Sequence, residues 1–169
     1  MWTNKGTRRP PFAVEPKKGQ ESVWDYPRPP VLLADCRLVE IYSGSQLIAR
    51  SDANYRVCET ASPPTIYIPA DQVDWRLLET IKGTSYCEWK GHARYWALKS
   101  DPSLPVAWSY PKPRAAFTRI KNFVSFYPGQ VSCTLDGQQV RAQAGGFYGG
   151  WITDEIVGPF KGELGTGHW

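Results

Sequence analysis

From Asp35 onwards, apolar and polar residues alternate with a period of two, the spacing of a half-buried strand. Cys36–Tyr42 reads as a strand, Ser43-Gly44-Ser45 as a turn and Gln46–Arg50 as the returning strand. Tyr55–Thr60 is a third strand, ended by Ser62-Pro63-Pro64, and Thr65–Ile68 is a fourth. Asp71-Gln-Val-Asp74, before Trp75 and Leu77-Leu78, resembles an N-cap with an acid three residues on and predicts a short helix. His92–Leu98, Val106–Tyr110 and Phe123–Tyr127 are aromatic-bearing strands, with a helical turn or two over Arg114–Lys121. Val131–Leu135 and Gln138–Ala142 close as a hairpin around Asp136-Gly137.

This is a mainly β pattern: about eight short strands and one or two short helices. It has no strand–helix alternation, so a doubly wound parallel sheet is excluded. Small antiparallel sheets are expected. Residues 1–34 read as an extended N-terminal arm, 35–142 as the β domain, and 143–169 as an irregular strap packed on it. Within the arm, the prolines of Glu21–Pro30 favour polyproline-type backbone, and Trp24 and Tyr26 are placed to anchor it.

Composition adds that a core needs no staple. Aromatic residues make up 14% of 169 residues, with 8 Trp, 9 Tyr and 6 Phe, beside 15 Gly and 15 Pro. Rings that each bury about 200 Å² supply a core without metal or disulfides. The net charge is only +4, and much of the excess lies in Lys5, Arg8, Arg9, Lys17 and Lys18. A basic run of this kind is a solvated arm, so no nucleic-acid partner is expected. Cys36, Cys58, Cys87 and Cys133 show no C-x-x-C spacing, and there are two histidines, so neither a metal site nor a cofactor is expected. No apolar run reaches membrane-spanning length and no signal-peptide core follows the basic residues. A cytoplasmic protein with reduced thiols is the expectation.

The densest chemistry lies in Thr84–Trp96. Cys87 stands three residues before Lys90 on a turn closed by Gly91, so an ammonium could stabilise a thiolate there, among Tyr86, Trp89, Tyr95 and Trp96. The alternative is a buried, inert Cys87 and a solvated Lys90. Glu59, late in a strand before the Ser-Pro-Pro turn, is a candidate acid or base, or else a solvated strand end. Trp108 and Tyr110, stiffened by Pro111 and Pro113, can wall a cleft at little entropic cost or simply fill a core. Gly44-Ser45 before Asp52-Ala53-Asn54 is a faint echo of a nucleotidyltransferase turn, but Asn occupies the second acid position. Neither G-x-G-x-x-G nor a phosphate-binding loop occurs.

Several motifs together resemble the family called domain of unknown function 427, which also carries a nucleotidyltransferase-like label. They are Glu21–Pro30, Glu59-Thr60, Tyr86-Cys87, Lys90-Gly91-x-Ala93-x-Tyr95-Trp96, Ala107-Trp108-x-Tyr110-Pro111 and Phe126-Tyr127. The ending, Gly150–Thr153 with Ile156–Gly162, resembles a longer, cyanobacterial-type subgroup. Where the family usually has Pro after the cysteine, this chain has Glu88, and a carboxylate there works against a thiolate. The resemblance implies a β-tent-like fold, in which two small antiparallel sheets meet at an angle and hold a ligand between them. Zinc often sits at the apex of that fold, but the cysteine pairs for it are missing here.

Three functions follow as expectations. In the first, an aromatic-walled cleft lined by Glu59, Tyr86, Lys90, Tyr95, Trp108 and Tyr110 binds a small polar or aromatic ligand. In the second, an enzyme uses Cys87 as nucleophile or Glu59 as base in that cleft. In the third, the protein is structural or an interaction module and its rings are core.

Overall fold

The computed structural model describes residues 2–169, and they fold into several small antiparallel sheets with no closed barrel. The main strands are β1 (Val31–Asp35), β2 (Val39–Ser43), β3 (Gln46–Ser51), β4 (Asn54–Cys58), β5 (Thr65–Tyr67), β6 (Leu78–Cys87), β7 (Gly91–Leu98), β8 (Asp101–Ser109), β9 (Val124–Phe126), β10 (Ser132–Leu135) and β11 (Gln138–Gln139). One sheet has the order β11-β10-β2-β3, a second β1-β4-β5, and a third β9-β8-β7-β6. A bridge between Ile68 and Val124 ties the second sheet to the third. The mainly β reading of the sequence therefore describes the chain.

Period-two alternation decides which face each side chain takes. On β5 and just beyond it, Ile66 and Ile68 enter one buried cluster with Val39, Ile41, Ile48, Val106, Val124 and Phe126. Tyr67, between them, points the other way into a second cluster with Val57, Ala93, Trp108 and Tyr110. Asp136 and Gly137, at φ 48° and 80°, make the tight β10–β11 turn that the Asp-Gly pair predicts.

Local expectations fail at three places. Val31–Ala34, read as the end of the arm, belong with Asp35 to a strand paired along its length with β4. The helix after Asp74 is a single 3₁₀ turn, Trp75–Leu77, and the chain then runs into the ten-residue β6. Asp74 does cap that turn, accepting from the Arg76 amide at 3.1 Å, but Asp71 caps nothing. The β-branched Thr80, Ile81 and Thr84 favour the strand. Its Thr80–Thr84 stretch bulges, with Gly83 at φ 109°. Finally, Glu21–Pro30 is not continuous polyproline. Val23–Asp25 is a 3₁₀ turn capped by Ser22, which buries Trp24, while Tyr26 follows in extended geometry and is also buried.

The two ends of the chain meet. Glu21-Ser22 pairs in parallel with Ile156-Val157, and Trp24 packs edge-on against Trp169, which stacks on Phe12. Arg141-Ala142 pairs with Trp151-Ile152, bringing the glycine-rich segment 145–150 back over the second cluster. Among the described residues, no helix is long and apolar enough to cross a membrane.

Candidate ligand cleft

A cavity of about 480 Å³ opens between the β1-β4-β5 sheet and the β9-β8-β7-β6 sheet, within the roughly 300–1,000 Å³ usual for small-molecule sites. Glu59, Tyr86, Cys87, Lys90, Tyr95, Trp108 and Tyr110 all line it. So do Tyr127 of the Phe126-Tyr127 motif and Tyr67, Gln143, Tyr148 and Lys161, the last four of which were not singled out from the sequence.

The back wall is aromatic because strand register puts rings side by side. Tyr95 on β7 lies directly opposite Trp108 on β8, and Tyr110 follows two residues later on the same face. Trp108 meets Tyr127 at 4.5 Å between ring centroids and Tyr67 edge-on at 6.2 Å. Its indole N–H donates to the Tyr67 hydroxyl at 3.1 Å. Each such ring pair contributes about 0.5–1.5 kcal/mol beyond burial. Gly149 lies flat on this wall, since a Cβ there would sit 2.1 Å from the Trp108 ring. Ser85 and Tyr95 share a 2.6 Å hydrogen bond. Burial raises the phenols of Tyr67, Tyr110 and Tyr127, so all three stay protonated donors at neutral pH.

Lys90 enters from the turn between β6 and β7. Gly91 closes that turn at φ 104°, and Arg114 fixes it from outside. The Arg114 amide donates to the Lys90 carbonyl at 3.0 Å, and its guanidinium to the Glu88 carbonyl and the Tyr86 hydroxyl. The Lys90 ammonium sits 5.8 Å and 5.9 Å from the centroids of Tyr110 and Phe117. Burial works against its charge, but Tyr67, Cys87 and Glu59 outweigh burial and hold its pKa above the usual lysine value. Beside it, the Trp89 indole N–H is buried without an acceptor among the described residues.

Glu59 is not a free base. Its carboxylate accepts from Arg28 Nε at 3.1 Å, and the Arg28 side chain is only 2% exposed. Arg28 also donates to the carbonyls of Asn4, Thr60 and Trp169, so it ties both chain ends to the exit of β4. Tyr86 stands at the rim, 59% exposed, with its ring against His92. Cys87 is partly buried on the wall, and all four cysteines are free thiols. Burial pushes the Cys58 thiol up to about 11 and raises Cys133 as well, which leaves both inert.

Lys161 arrives from the C-terminal segment. It is buried, donates to the Trp169 main-chain oxygen at 3.5 Å, and lies 4.1 Å from the Trp2 ring centroid. Burial and the neighbouring Arg28 lower its pKa. Trp2 lies across the mouth, with Arg28 on its ring and its indole N–H donating to Glu88. Among the described residues, no group of three or more His, Cys, Asp or Glu is placed to hold a metal ion. The Gly44-Ser45 turn and Asp52 lie outside the cavity, and the Asn54 amide is spent on the carbonyls of Arg37 and Ser51.

The family model for the domain of unknown function (DUF427) matches residues 31–137, well over half of the chain. The chain belongs to this family. The matched span holds both cleft walls, whereas Arg28, Lys161 and the glycine-rich segment lie outside it. No curated protein matches the chain.

Proposed function

We propose that the protein binds a small ligand with a planar apolar body and a polar head in the cleft between the two sheets. The observation that carries this is the convergence of the half-buried Lys90 ammonium with the Tyr95, Trp108, Tyr110 and Tyr127 rings around a cavity large enough for a small molecule. Rings held by strand register lose little freedom on binding, so such a wall gains affinity by preorganisation. The sheet pair around the cleft also suits the β-tent arrangement that the family resemblance implies.

Native mass spectrometry of the freshly purified protein tests the reading. A co-purifying small molecule is expected, and Ala93→Phe, which fills the cavity from β7, is expected to exclude it with the thermal midpoint kept. A cavity that stays empty, or a bound mass that survives Ala93→Phe, would overturn it.

A second reading, an enzyme with Cys87 as nucleophile, is favoured by the position of that thiol on the cavity wall near Lys90. Alkylation by iodoacetamide at pH 7 decides it. A Cys87 that reacts no faster than free cysteine leaves the binding function alone.

A further inference from the structure

We propose that the cleft selects ligands whose planar body ends in an anionic oxygen group, a carboxylate or a phosphate, and that Lys90 is the residue that reads it. The inference rests on the cleft being a ligand site and names the chemical class of what fills it.

The cavity has an excess of donors and of positive charge. Lys90 forms no ion pair with a carboxylate among the described residues, while Lys161 is engaged with the Trp169 main-chain oxygen at 3.5 Å, and both line the cavity. Of the two carboxylates that line it, Glu59 is already matched by Arg28, and Glu88 is exposed at the rim and accepts from Trp2. The Lys90 ammonium has the Cys87 thiol beside it, Glu59 beyond ion-pair distance and aromatic faces at nearly 6 Å, so no carboxylate of the chain sits directly against its charge. Tyr110 adds a phenol that burial keeps protonated. A neutral ligand could accept from these donors but would leave the Lys90 charge uncompensated, and a cationic one would face two ammonium groups. An anionic oxygen head accepts from the donors and neutralises Lys90. The rings then cover the flat body, whose edge can meet Trp108 and Tyr127.

Four compounds with one ring system separate the possibilities by calorimetry: 1-naphthoate, 1-naphthyl phosphate, 1-naphthamide and 1-naphthylmethylamine. The carboxylate or the phosphate, or both, are expected to bind at least tenfold more tightly than the amide, and the amine least. The better of the two anions identifies the head group. Lys90→Gln is expected to bring the anions down to the level of the amide without changing the amide itself, while Lys90→Arg retains the preference. Thermal midpoints of both variants report that each is folded. An amide or amine that binds as well as the anions, or an anion preference that survives Lys90→Gln, overturns the inference and leaves the cleft reading standing. No binding by any of the four overturns it too, and the co-purification measurement then decides the cleft reading separately.

Discussion

Arg28 shows how much one side chain can hold. Its guanidinium is buried, pairs with Glu59 and donates to three carbonyls from three separate stretches of chain. Arg28→Met leaves the Thr60 carbonyl and the Glu59 carboxylate without their donor, and is expected to cost about 3–4 kcal/mol. Glu59→Gln keeps an acceptor for Nε but strips the counter-charge from a buried cation. Because Glu59 is partly exposed, about 1–2 kcal/mol is expected there. Urea unfolding followed by tryptophan fluorescence measures both, and the reverse order would show that Arg28 is not the keystone of this junction. None of this was visible in the sequence. Glu59 stood out because it sits at a strand end, but its partner lies 31 residues earlier in a segment without regular structure. Lys161 was missed for the same reason, since a lysine on an irregular strap reaches the cleft only through tertiary folding. Tyr67 did carry a signal: in Thr65-Ile-Tyr-Ile68, alternation puts the tyrosine on the face opposite the two isoleucines, which is where the cleft lies.

At the scale of elements, the β6–β7 hairpin places the ammonium. Its turn was legible because Gly91 marks the only backbone that reverses the chain there. The ten-residue length of β6 was not, because the Asp74 cap and Leu77-Leu78 compete as helix signals, and sheet pairing with β7 overrides them. Gly91 sits at φ 104°, and a Cβ there would lie 3.3 Å from the Lys112 carbonyl. Gly91→Ala is therefore strained twice, by conformation and by contact, and is expected to lose about 1–3 kcal/mol of stability. The turn that carries Lys90 would shift with it, so ligand affinity is expected to fall alongside the thermal midpoint. Gly137→Ala is the control: it also has positive φ, but its Cβ would meet nothing and the turn is remote from the cleft. It is expected to lower the midpoint and leave affinity unchanged. Equal loss of affinity in both variants would mean that the β6–β7 turn does not set the position of Lys90.

At the scale of the whole molecule, ion pairs stitch the terminal segments to the sheets, and they set the response to acid. Glu21, beside the parallel pairing with Ile156, is held by Arg56 of β4. Asp35, at the end of β1, is held by Arg37, which also grips Glu155 of the C-terminal segment. Burial alone would raise both carboxyls, but hydrogen bonds from Arg56 and Arg37 outweigh it and keep Glu21 and Asp35 below their ordinary range. The unfolded chain, with carboxyls at about 3.9–4.3, then binds more protons than the folded one as the pH drops. The stability these groups contribute is therefore fully present above about pH 5, and it is lost as the pH falls through their folded values. Urea midpoints are expected to hold steady in this respect from pH 7 to 5 and to fall below pH 4. Arg56→Gln removes the partner that lowers Glu21, so it is expected to reduce stability at pH 7 and to flatten the acid slope together. A variant curve running parallel to the wild type at every pH would place the acid-sensitive groups elsewhere.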